Sequence, residues 1–315
     1  MRNLVFRVLR KLMRKPYQEY TDEFVELFNQ EANDYVREQI HNASNGLMIA
    51  KWGTIELGTV CTLLSWELGI KYKDICDGKV EYDKEGQMKW LCNNAGFFPS
   101  SVSAGVHYAK MALEDAKQID ILGSYIQHEY YVRDYNKNAK KINLDGYYAP
   151  FLWTDPWTKE LKGKKVLVVH PFAETIKSQY GRRNKLFANP DVLPEFKSLT
   201  VIKAVQSVAG NGGNTGFKDW FDALKYMKNQ MDDVDYDVAL IGCGAYGMAL
   251  AAHAKRKGKI AIHLAGWTQM LFGIYGKRWL EDQPKYKEFI NEYWVRPNEN
   301  EKPKNADSVE GGCYW

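Results

Sequence analysis

The densest chemical signal in this 315-residue chain is Gly242-Cys243-Gly244-Ala245-Tyr246-Gly247. It lies between an apolar run at 236–241 that reads as a strand and a run at 245–257 that reads as a helix. Glycines at such a junction permit a tight turn and close backbone approach, and the first N–H groups of the helix offer a positive dipole end to an anion. Gly242, Gly244, Ala245, Tyr246 and Gly247 are therefore expected contacts of a nucleotide's phosphates. A glycine-rich turn that only packs is the other reading of the same pattern.

Residues beyond the motif narrow the ligand. Dinucleotide-binding units place an acidic residue about 20 positions on, at the end of the next strand, to hold ribose hydroxyls. Here that strand, 259–264, runs out into His263-Leu264-Ala265-Gly266. Residues 238–280 hold no Asp or Glu, although 39 acids in 315 residues would put about five there. An acid-free neighbourhood suits phosphate and counts against an NAD(P)-dependent oxidoreductase. His263, Gly266 and Gln269 are expected to complete the nucleotide site.

Two further constellations come after strand-like runs. After 165–170, which ends in His170, comes Phe172-Ala173-Glu174-Thr175-Ile176-Lys177-Ser178-Gln179-Tyr180-Gly181-Arg182-Arg183. It opens a helix at the edge of a parallel strand, where open α/β sheets bind ligands. His170 and Glu174 are expected there, with Lys177, Arg182 and Arg183 neutralising a pyrophosphate; a solvated charged helix is the competing reading. After 47–52 comes Lys51-Trp52-Gly53-Thr54-Ile55-Glu56. Lys51, Gly53 and Thr54 are expected at the ligand, and Glu56 to act as general base or metal ligand. A lone Glu in a first helical turn is also favourable with the helix dipole alone.

The elements that must position these residues alternate. Strand-like runs at 47–52, 119–122, 165–170, 199–205, 236–241 and 259–264 are interleaved with helical runs at 21–41, 54–64, 103–117, 172–187, 218–231 and 245–257, while 70–100 reads as loop. That order predicts an α/β fold with a mostly parallel, Rossmann-like sheet and helices on both faces. Three segments are expected: a basic helix at 1–16, an α/β domain at 17–280 with halves 17–160 and 161–280, and a C-terminal helix and tail at 281–315 that packs back.

Composition excludes several classes. A net charge of +4 without a basic stripe argues against nucleic-acid binding. Five scattered cysteines, never spaced C-x-x-C, argue against a disulfide framework or zinc site and fit a reducing, cytoplasmic compartment. Aromatic residues make up 14%, and suit sugar-binding clefts as well as ordinary cores. Residues 1–15 carry six Lys and Arg and no acid among apolar residues. As a helix this segment suits the anionic inner face of a cell membrane, or packs on the body with its charges exposed.

The chain resembles bacterial glycosyltransferases of the GT-D fold type and related uncharacterised proteins of surface-polysaccharide gene clusters. The resemblance covers residues 49–57 and 166–279, through VVHPFAETIKSQYGRR, FKDWFDALKYM, DVALIGCGAYGMALAAHAKRKGKIAIHLAG and LFGIYGKRW, with WVRP and EGGCYW beyond. It implies transfer of a hexose from a UDP-sugar to a hydroxyl of a lipid- or protein-linked glycan. In that family an Asp-x-Glu motif after the first strand binds the nucleotide-sugar and its Mn²⁺ or Mg²⁺. Glu56 matches the Glu, but Thr54 stands where the Asp belongs, so the diphosphate falls either to Lys and Arg or to a metal held through Glu56. A non-catalytic nucleotide- or glycan-binding protein of polysaccharide assembly is the alternative, followed by the oxidoreductase. For the membrane expectation, deleting residues 1–15 should release the protein from anionic vesicles; undiminished co-sedimentation would refute it.

Overall fold

The computed structural model describes Val5, Val8 and residues 22–315 of the chain, so the N-terminal membrane expectation lies outside the described residues. Seven strands form one sheet: β1 (Leu47–Lys51), β2 (Ile121–Gly123), β3 (Lys140–Ile142), β4 (Lys165–His170), β5 (Ser198–Lys203), β6 (Val238–Ile241) and β7 (Ile260–His263). Their order is β3-β2-β1-β7-β6-β4-β5, and every pairing is parallel. Parallel neighbours need crossovers, and the helices supply them on both faces.

Side chains alternate across a strand, and the apolar residues of this sheet divide accordingly. Met48, Ala50, Leu167, Val169, Ala239, Ile241 and Ala261 face a core built with helices Thr54–Leu63, Lys84–Ala95, Val102–Ala116, Trp220–Asp232 and Gly247–Arg256. Leu47, Ile49, Val166, Val168, Leu240, Ile260 and Ile262 face a second core with helices Asn29–Asn42, Ala173–Tyr180 and Trp267–Leu271. Strands buried on both faces explain why β1, β4, β6 and β7 read as unbroken apolar runs.

Ligand placement follows from the connections. From β4 the chain crosses to β5 on one side; from β6 it crosses to β7 on the other. The two crossover helices lie on opposite faces: Ile176 packs in the second core, Ala249 and Ala252 in the first. Between the C-terminal ends of β4 and β6 the sheet therefore opens into a crevice, the position where open α/β sheets receive ligands.

Several elements differ from the sequence expectation. Residues 22–28 are not helical: Leu27 bridges β3 at Ile142, and the Asn143 N–H donates to Leu27 O at 3.0 Å. The edge strand's unpaired backbone captured a stretch that its apolar spacing would also allow as helix. β3 itself is three residues long, too short for a periodic signal. The region 70–100 is not loop but contains helix Lys84–Ala95, with the Asp83 side chain accepting from Gly86 N–H and Gly96 closing it in the left-handed conformation. The helical run at 172–187 breaks at Gly181 into Ala173–Tyr180 and Arg183–Leu186. Beyond Trp279, Pro284 splits the expected helix into two short turns, Arg278–Asp282 and Pro284–Phe289.

Ala50, Ala239 and Ala261 leave the sheet surface low where helix Gly247–Arg256 crosses it with its own Ala249, Ala251 and Ala252. Ala261→Leu should therefore overpack this contact and lose about 1–3 kcal/mol. The check is a urea melt, where the midpoint should fall at unchanged slope; an unmoved midpoint would mean that the contact has slack.

Candidate functional site

A cleft of about 1450 Å³ opens over the C-terminal ends of β1, β7, β6 and β4. Lys51, Gly53, Thr54 and Glu56 line it from the β1 end, His263 and Gly266 from β7, Gly242 and Gly244 from β6, and His170 from β4. The three sequence constellations thus meet at one place, but their parts are used differently.

At the end of β1, Tyr125 organises the local hydrogen bonds. Its hydroxyl donates to Trp52 O at 3.0 Å and accepts from Lys51 Nζ at 3.2 Å. The phenol proton being engaged, the contact of 3.3 Å with Thr54 Oγ1 is one in which Thr54 donates. Tyr125 is held in turn by Glu129, whose carboxylate accepts from the Tyr125 and Ile126 N–H groups at 3.0 and 3.1 Å and from the Ser124 hydroxyl. Sequence reading missed Tyr125, because it comes after a three-residue strand and lies about 70 positions from the residues it touches.

Glu56 sits in the first turn of helix Thr54–Leu63 and folds back over Gly53, where a Cβ would meet its Oε2 at 1.9 Å. A side chain at position 53 would push that carboxylate out of its place. Burial pushes the Glu56 pKa up, with Glu310 adding to the rise, while Lys51 and a backbone N–H oppose it. Burial lowers the Lys51 pKa, but Tyr125, Tyr148 and Glu56 outweigh it, so the ammonium stays charged at neutral pH.

The glycine motif is accounted for by packing. A Cβ on Gly242 would meet Ala265 O at 2.3 Å, one on Gly244 would meet Ala95 O at 2.6 Å, and one on Gly247 would meet His263 Nε2 at 2.2 Å. Gly244 also has φ +57°, so bulky variants there report on packing rather than on a ligand. Tyr246 points into the core, stacked on Trp220 at 4.9 Å with its hydroxyl 3.1 Å from Ser207 Oγ. Ala245 lines a small void behind the cleft, beside Met248 and Tyr108.

The constellation after β4 is sealed by the protein itself. At the start of helix Ala173–Tyr180, the Glu301 carboxylate accepts from Glu174 N–H at 2.7 Å, Thr175 N–H at 3.3 Å and the Thr175 hydroxyl. A phosphate expected at that helix end would meet a buried carboxylate instead. Glu174, Lys177, Arg182 and Arg183 do not line the cleft. Lys177 pairs with Glu174 at 3.1 Å and Arg183 with Glu195 at 3.4 Å, on the outside. Three cations of the acid-free stretch are equally remote, for Lys255, Arg256 and Lys257 pair with Asp120, Asp115 and Asp232 at the far end of helix Gly247–Arg256, whereas Arg278 reaches the cleft. Sequence counting saw an acid-free segment; the acids that balance it come from other segments.

The C-terminal tail forms one wall. Cys313 O and Trp315 O accept from the N–H groups of Arg278 and Lys277 at 2.9 and 3.2 Å. Gly266 and Gln269, expected at the nucleotide, hold Tyr314: a Cβ on Gly266 would meet its ring at 2.5 Å, and Gln269 Nε2 donates to its carbonyl at 3.2 Å. Arg278 donates to Glu310 and, at 3.2 Å, to Tyr314 Oη. Glu310 and Ala265, both at the cleft, have φ of +47° and +52°, a costly conformation for residues with a side chain that ligand sites often retain.

A divalent ion fits this donor set poorly. Among the described residues no three His, Cys, Asp or Glu side chains converge as ligands. Glu56 brings a single carboxylate with a cation beside it, and the Thr54 hydroxyl donates to Tyr125.

No known protein-family model matches the chain, and no curated protein does. A solved structure described as "Selenomethionine substituted structure of domain of unknown function 1792 (DUF1792)" aligns over 94% of this chain and 96% of its own at 11% identity, with a TM-score of 0.33. Likeness of that degree assigns no residue. Among the described residues no helix is long and apolar enough to cross a membrane.

The imidazoles give the site a pH signature. Burial lowers the His170 pKa to about 3, with Nδ1 accepting from Phe172 N–H at 3.0 Å. Burial and the Lys51 charge bring His263 to about 3 as well, and neither of its ring nitrogens has a hydrogen-bond partner of good geometry. Both are neutral in the fold, whereas the unfolded chain takes up protons below the ordinary value of 6.5. Stability is thus full above about pH 6.5 and should fall, as pH is lowered toward 3, by about 1.4 kcal/mol per unit for each imidazole. Denaturation across this range should show His263→Gln losing part of that slope; an unchanged slope would assign the acid loss to other groups.

Proposed function

We propose that the chain is a glycosyltransferase that moves a hexose from a nucleotide sugar, UDP-linked, to a hydroxyl of a glycan or lipid-linked acceptor. The observation that carries the reading is the Glu56 carboxyl within the field of the Lys51 ammonium at the C-terminal end of β1, in a cleft across the sheet's switch point. Its volume of about 1450 Å³ exceeds the roughly 300–1,000 Å³ of ordinary small-molecule pockets, leaving room for donor and acceptor together. Trp90, Tyr148, Trp267, Tyr314 and Trp315 line it, supplying flat apolar faces for sugar rings.

The chemistry needs few groups. The acceptor oxygen forms a bond to the sugar's anomeric carbon as the bond from that carbon to the diphosphate oxygen breaks. The electron pair leaves with the nucleoside diphosphate, and the acceptor's proton passes to Glu56. A carboxylate with a raised pKa holds that proton better than an ordinary one, which suits a general base. A carrier that binds the nucleotide sugar without transfer is the second reading, favoured by Thr54 standing bonded to Tyr125 where an acid would assist.

UDP should raise the melting temperature of the protein more than GDP, CMP or NAD does, and incubation with UDP-sugars and acceptor should release UDP. Glu56→Gln should lower release at least about a hundredfold while leaving the melting temperature in place. Full release by that variant would remove Glu56 from the mechanism; UDP binding without release in the wild type would favour the carrier.

A further inference from the structure

The cleft is poor in positive charge. Seven carboxylates line it, Asp22, Glu56 and Glu310 among them, against Lys51 and Arg278 as the cations among the described residues. His128, His170 and His263 add none near neutral pH, because burial lowers all three pKa values to about 4, 3 and 3. A doubly charged diphosphate entering such a cleft must find its countercharge at a defined place.

Arg278 is already engaged, with Glu310, Tyr314 Oη at 3.2 Å and Cys313 Sγ at 3.2 Å. Lys51 differs. One of its three N–H donors goes to Tyr125 Oη at 3.2 Å, and Glu56 acts on it through space rather than by contact. Lys51 is only half-buried in the cleft wall, so its remaining donors are open to an anion that enters the cleft. The position is also set by the sheet, since Lys51 pairs with Gly123 of β2 and the same strand pairs with β7 up to Ile49. A metal ion would face the reverse situation, with no three His, Cys, Asp or Glu side chains converging to hold it among the described residues and the Lys51 charge near Glu56 to repel it.

Resting on the glycosyl-transfer reading, we propose that the Lys51 ammonium stands in for a divalent cation. It binds the donor's diphosphate and takes up the charge of the leaving nucleoside diphosphate, so neither binding nor transfer requires a metal. The remaining N–H donors of Lys51 receive phosphate oxygens, and the charge that develops as the anomeric C–O bond breaks is stabilised by a cation already in place. Lys51 then has two effects. It holds the leaving group, and its field keeps the pKa of Glu56 from rising further.

The test titrates UDP calorimetrically into the full chain, in EDTA and again with Mn²⁺, for the wild type, Lys51→Met and Lys51→Arg. Wild-type affinity in EDTA should lie within about threefold of that in Mn²⁺. Lys51→Met should bind at least about tenfold more weakly, and Lys51→Arg should recover part of the loss. In Lys51→Met the acid limb of UDP release should also move to higher pH, because loss of the cation raises the Glu56 pKa, a shift that a merely structural lysine would not produce. Wild-type binding only with Mn²⁺, or Lys51→Met binding as tightly as wild type, would overturn the proposal; the EDTA arm on the wild type decides even if the methionine variant does not fold. No binding of UDP under either condition would instead overturn the nucleotide-sugar reading on which it rests.

Discussion

One constraint organises this molecule: a lysine charge held at the edge of a buried sheet without a carboxylate in contact. Lys51 ends β1 at its pairing with Gly123 of β2, just past the last β7 pairing at Ile49, and the groups around it are arranged to keep it charged. Tyr125 accepts from it and Glu56 sits within its field, while the same charge helps keep His263 neutral and lowers the Tyr314 pKa against the effect of burial. Moving that ammonium would alter the protonation of several cleft groups at once.

Holding it takes contributions from distant parts of the chain. The loop after β2 delivers Tyr125, braced by the buried Glu129. The tail delivers Glu310 and Tyr314, tied to Arg278 and to the backbone at 277–278. Glu301, further back in the tail, closes the helix end after β4 with its own carboxylate. These long-range contacts turn the general crevice of a doubly wound sheet into a cleft whose cations, among the described residues, are Lys51 and Arg278.

Much of the fold was legible in the sequence because it follows from periodicity. β1, β4, β6 and β7 are strands of four to six residues, each with an apolar run of three or four, a length and character that a strand buried on both faces requires. What escaped was short or context-dependent. β3 shows too few residues for a pattern, and residues 26–27 took an extended form because an edge strand offered hydrogen bonds. Helix Lys84–Ala95 hid behind Gly86, Asn93 and Asn94, although Asp83 and Gly96 signal its two ends.

The site was legible in location but not in use. By itself the sequence determined that chemistry-bearing residues come after parallel strands, since strand–loop–helix alternation sends every such loop to the same sheet edge. It also marked Lys51, Gly53 and Glu56, which line the cleft close to their own strand. Only the tertiary structure decided that Gly242, Gly244 and Gly247 make room for neighbouring protein atoms, that Lys177 and Arg183 face outward, and that Tyr125, Arg278 and Glu310 belong to the cleft. The reason is physical: a glycine, an arginine or a tyrosine carries its type in the sequence, but what lies within 4 Å of it is set by segments tens to hundreds of residues away.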